Sequence, residues 1–112
     1  MEDSILVDAM YGVTFHEWKI NGNYHIGEEI DETYEMFKTN GMMRLSYAEA
    51  VDAMVKAVQA KIPRGAPMTY VAKPLFTMAM AYVKLVPSFD ARQVMGDIYK
   101  GLSKFFTVKP MP

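Results

Sequence analysis

Cysteine is missing from this chain, which excludes disulfides, thiolate metal ligands and cysteine nucleophiles. Histidine is scarce, with His16 and His25 the only two, and Trp18 is the only tryptophan. Long apolar runs are lacking as well. The most apolar region, 69–86, is broken by Lys73, Pro74 and Lys84, so a membrane-spanning helix is not expected. The chain does not open on a basic-then-apolar leader, so no secretory signal is expected and a cytoplasmic location is. The G-x-S-x-G, H-E-x-x-H, P-loop and G-x-G-x-x-G patterns are all absent. The sequence thus names no nucleophile, base or cofactor, and it reads as a protein that is not an enzyme.

What is present suits one domain over residues 1–112, with 107–112 as a flexible tail. At 51% hydrophobic and 22% charged residues, the chain is too apolar for disorder and long enough to enclose one core. Methionine is over-used, with 11 Met against five Leu. Met fills irregular core gaps and also serves adaptable binding surfaces, and both uses are open here. Met42 and Met43, beside Gly41 in an expected loop, are the candidates for an exposed contact.

Charge is segregated along the chain. Residues 1–43 hold nine acids and two bases, a net of −7, and residues 44–112 hold ten bases and four acids, a net of +6. Such asymmetry marks an acidic or basic contact surface, unless the two parts fold together and neutralise each other.

The pattern predicts a mainly α (α+β) fold of four to five helices with one small β-hairpin near 14–27. A short helix is expected over 2–12, stopped by Gly12. Alternating β-formers from Val13 onward, followed by Asn21-Gly22, predict the hairpin. An acidic helix over 29–39 would end at Asn40-Gly41. Ser46 and Glu49 form an S-x-x-E capping box, followed by apolar residues at helical spacing to Ile62. Pro74 suits the first turn of a helix running to about residue 86. That helix is apolar around nearly its whole circumference, which predicts a homo-oligomer formed through 75–86. Ser88 or Asp90 would cap a last helix over 90–106.

Three site readings follow. In the expected hairpin, His16 and His25 would sit on diagonal positions of one face, roughly 7–8 Å apart, within reach of a shared ligand. No recognised metal motif results, so no metal is assigned. The helices on either side of residues 87–89 have helix-turn-helix spacing. Arg92 and Gln93 would then reach base edges, and Lys100, Lys104, Lys61, Arg64 and Lys73 would meet phosphates. The favoured reading is a small non-enzymatic interaction protein, of the kind encoded by phages as accessories or inhibitors, acting in the host cytoplasm. Its protein partner would carry a basic surface. The expected contacts are Glu28, Glu29, Glu32, Glu35, Met42, Met43, Trp18 and Tyr24. Nucleic-acid binding is the alternative, and a structural subunit of a larger assembly is a second one.

Overall fold

Helical spacing of apolar residues is realised along nearly the whole chain. A computed structural model describes residues 3–63, 66 and 68–104. The helices are α1 (Asp3–Phe15), α2 (Tyr24–Thr39), α3 (Tyr47–Lys61), α4 (Met68–Leu85) and α5 (Ala91–Leu102). A π-helical turn (His16–Ile20) continues α1, and a 3₁₀ turn (Met42–Arg44) follows α2. Among the described residues there is no strand, so the fold is mainly α and the expected hairpin at 14–27 is corrected.

The reason lies in Asn21-Gly22-Asn23. Gly22 does adopt positive φ (72°), but Asn21 stays in the right-handed helical region, with φ −83° and ψ −5°. A two-residue type I′ hairpin turn needs positive φ at both central residues. The tripeptide instead stops one helix and starts the next. Asn21 N–H bonds to the His16 carbonyl, and the Asn23 side chain accepts from the His25 N–H as the N-cap of α2. The helix expected over 29–39 therefore begins at Tyr24, and Gly12 lies inside α1 rather than ending it.

Packing centres on α4, which meets α1 and α2 and also α5; α5 in turn meets α1 and α3. From residue 75 to 85 only Lys84 is exposed. Neighbouring helices of the same chain thus cover the apolar circumference that suggested a second copy. Met10, Met54, Phe76 and Met95 are fully buried, each worth about 2 kcal/mol in area removed from water. Methionine therefore does serve as core filler, while Met36 and Met43 remain exposed.

Two helix ends depart from expectation. Pro74 stands well inside α4 instead of in its first turn. The last helix ends at Leu102, and Asp90 occupies its N-cap position without a side-chain hydrogen bond to the backbone. The tail at 107–112 and Arg64 lie outside the described residues. Among those described, no helix is long and apolar enough to cross a membrane.

Candidate interaction surface on the acidic helix

Helix α2 buries Ile26, Ile30, Thr33 and Phe37, spaced 4, 3 and 4 along one face. Tyr24, Glu28, Glu32 and Glu35, spaced 4, 4 and 3, form the opposite stripe, and all four are exposed. The remaining two acids flank the stripe and turn toward α4. There Glu29 pairs with Lys73 at 3.6 Å and Asp31 with Lys84 at 2.8 Å. Asp31 holds the Lys84 ammonium above the usual lysine range, and the same ammonium lies 4.4 Å from the Tyr34 ring centre. A third bridge joins Asp8 to Arg92 at 3.3 Å. The acidic and basic parts of the chain therefore neutralise each other in part.

The outer stripe is left over from that neutralisation. Glu28 is met by His25 at 3.4 Å and Glu35 by Lys38 at 3.2 Å, both within α2. Glu32 has no ion-pair partner among the described residues. Like charges at i,i+3 and i,i+4 each destabilise a helix by about 0.2–0.5 kcal/mol. Glu28–Glu32 and Glu32–Glu35 are such pairs, and no packing contact of the fold requires them.

Apolar groups stand at both ends of the stripe. Tyr24 is 67% exposed at its start, its ring 4.2 Å from that of His25. Met36 and Met43 are exposed near its end, Met43 at 65%. Met42 is corrected to a buried residue: Gly41, with φ 73°, turns the chain so that the first residue of the 3₁₀ turn faces inward and the second outward. Trp18 is half-buried, with its ring edge-on to Phe76 at 5.9 Å and Lys19 4.0 Å above it. A Cβ on Gly27 would stand 3.0 Å from its Nε1, so Trp18 acts as a wedge between the π turn and α2. Sequence reasoning missed Met36. Its signal was its place one residue beyond Glu35, at the border of the apolar face.

The basic alternative is built differently. Arg92, Gln93, Lys100 and Lys104 are all exposed on or just after α5. Arg92, however, is engaged by Asp8 and lies 5.6 Å from the Tyr11 ring centre. Asp8, Asp90 and Asp97 line the same groove as Arg92, Gln93 and Lys100. Asp97 also accepts a hydrogen bond from the Tyr47 hydroxyl at 2.5 Å. Burial, followed by that bond and the Asp97 charge, pushes the Tyr47 phenol well above its usual range. Lys61 is exposed at the end of α3, and Lys73 is already paired with Glu29.

His16 and His25 are not brought onto one face of a sheet. His16 lies in the π turn and His25 in the first turn of α2, across the Asn21-Gly22 stop. Among the described residues no group of three or more His, Asp or Glu gathers in a way that could hold a metal ion. No known protein family, curated protein or solved structure matches this chain.

Proposed function

We propose that this chain is a small non-enzymatic binding module, an accessory or inhibitor type of protein, which docks a protein partner of basic surface on the outer face of α2. The observation that carries the reading is the Glu28–Glu32–Glu35 stripe, exposed and not neutralised by the rest of the fold. Tyr24 at one end and Met36 with Met43 at the other supply the apolar contacts that a purely charged surface lacks. Excess negative charge steers a basic partner and raises its association rate, an effect that weakens as salt rises.

A photocrosslinking amino acid placed at position 32, and separately at position 93, tests the reading in cell lysate. The expected result is a discrete adduct from position 32 and none from position 93. Replacing Glu28, Glu32 and Glu35 together by Lys should abolish capture, whereas replacing Lys100 and Lys104 by Glu should leave it intact. The reverse ranking would move the contact surface to α5 and overturn the proposal.

A further inference from the structure

The fold encloses the apolar circumference of α4, yet it leaves α1 apolar on its outer side. Leu6, Val7, Met10 and Thr14 form the buried side of α1. Opposite them run Ile5, Ala9, Gly12, His16 and, in the π turn, Ile20, spaced 4, 3, 4 and 4. Steps that alternate between four and three, as they do through His16, are the seam spacing by which two helices pair. Ile5 is 55% exposed and Ile20 67%, with Val13 beside the row at 56%. Gly12 and His16 are exposed and Ala9 is half-buried. No Asp, Glu, Lys or Arg stands in the row. Scattered apolar residues are ordinary on a surface, but an uncharged strip about 22 Å long marks a place of contact. Gly12 suits that use. Glycine weakens a helix interior, and the fold does not require it here. A Cβ at Gly12 would meet nothing within 4 Å, whereas one at Gly101 would run into Val55. The open space lets a second backbone come close.

The occupant that fits these features is a second copy of the chain. Turned end for end, the row matches itself. Ile5 falls opposite the partner's His16 and Ala9 opposite the partner's Gly12, because both pairs share one midpoint along the helix. The two small residues then meet at the centre, where the helices come closest. His16 lies toward the rim, where its imidazole keeps water. Antiparallel pairing also sets opposite ends of the two helix dipoles side by side. Nor does the row bring like charges together, as the three carboxylates of the α2 stripe would if that face met its own copy. A self-matching patch is what a two-fold dimer, the commonest closed assembly, requires.

We infer that the outer face of α1 is an isologous interface through which two copies of this chain pair antiparallel. The inference does not rest on the docking of a protein partner at α2, and it uses no residue of that stripe.

Sedimentation equilibrium of the full chain, from about 5 to 500 μM, covers the micromolar affinity expected of so small an interface. The mass should rise from 12.7 kDa toward twice that value. Ile5→Lys and Gly12→Gln should each weaken pairing by at least about tenfold. Both positions are exposed, so circular dichroism of dilute samples should show each variant folded. Tyr24→Lys, on α2, should pair like the wild type. Because the chain has no cysteine, introduced thiols report only on each other. Oxidising a mixture of Ile5→Cys and His16→Cys should couple one variant to the other, and either alone should couple far less. A mass that stays at 12.7 kDa up to about 500 μM overturns the inference. So does pairing that survives both Ile5→Lys and Gly12→Gln, or that Tyr24→Lys abolishes. Faster coupling of Ile5→Cys alone than of the mixture would show parallel helices and overturn it equally.

Discussion

Gly96 and Gly101 stand on the same helix, α5, and meet opposite surroundings. A Cβ added at Gly101 would lie 2.5 Å from Val55 Cγ2, whereas one added at Gly96 would meet nothing within 4 Å. Val55 is buried and β-branched, so its methyl has little freedom to retreat. Gly101 is therefore what lets α3 and α5 approach closely. Gly101→Ala should gain about 1 kcal/mol in helix propensity and lose more than that to overpacking, about 1–3 kcal/mol. Gly96→Ala keeps only the gain, so urea unfolding should show the first variant destabilised and the second stabilised. If both were stabilised, Val55 would be yielding and the close approach would not be rigid. Tyr47 offers a pH test across the same two helices. Its phenol lies above the ordinary value of about 10 because burial and Asp97 both favour the protonated form, and Tyr82 is raised by burial in the same sense. A raised folded value stabilises the native state fully below about pH 10 and loses that contribution as pH climbs further. Tyr47→Phe should be less stable at neutral pH by about 1 kcal/mol, the net worth of the lost bond, yet decline less steeply above pH 10. Parallel declines in denaturation curves run from pH 8 to 11 would show that Tyr47 is not the titrating group.

Among the helices, α3 was the most legible, because its start is written in local chemistry. Ser46 Oγ accepts from the Glu49 N–H at 3.2 Å, and Glu49 Oε1 accepts from the Ser46 N–H at 2.9 Å. Both bonds of the expected capping box exist, and they hold the Glu49 carboxyl below its usual range. The start of α2 is not legible, for the converse reason. Asn-Gly serves a hairpin and a helix stop equally well, and what decides is whether Phe15, Trp18 and Phe76 pack as a cluster, which no local window contains. Gly22→Ala forces a side chain into left-handed backbone and should cost about 1 kcal/mol. Asn23→Ala removes the α2 cap and should cost about as much. If both variants instead kept wild-type melting temperatures, the stop-and-start would be fixed by tertiary packing alone. The sequence misplaces Pro74 because the preference of proline for a first turn is a statistical guide, and α4 starts six residues earlier, at Met68. An interior proline costs a helix about 3 kcal/mol, offset by up to about 1 kcal/mol of unfolded-chain stiffness. Pro74→Ala should therefore stabilise the protein by about 2 kcal/mol in thermal unfolding. A loss of stability would mean that α4 is shaped around the proline.

Among the described residues, the −7 and +6 halves of the sequence meet in three bridges, Asp8–Arg92, Glu29–Lys73 and Asp31–Lys84. Composition revealed the segregation, and the acidic run revealed the α2 stripe. Which acids are absorbed by α4 and which left outside depends on helix phase, and so on Asn23 as the N-cap of α2, a position that a hairpin over 14–27 displaces. The same bridges bear on the nucleic-acid alternative. Each is exposed and worth at most about 1 kcal/mol, so together they do little for stability. Their effect is on the field, since they bring carboxylates against two of the bases, Lys73 and Arg92, that a duplex would need. Asp90 and Asp97 line the same groove as Lys100, the remaining α5 cation. Binding through four to six phosphates would give a log–log salt slope of about −4 to −5. Here phosphates would meet Asp8, Asp90 and Asp97 around the same groove that holds Arg92 and Lys100, so repulsion offsets much of that attraction. A gel-shift titration with mixed-sequence duplexes should show no complex at tens of micromolar protein in roughly 50 mM salt, where even non-specific binders attach. A shift lost in Lys100→Glu/Lys104→Glu and unaffected by charge reversal on α2 would replace the acidic face with α5 as the functional surface.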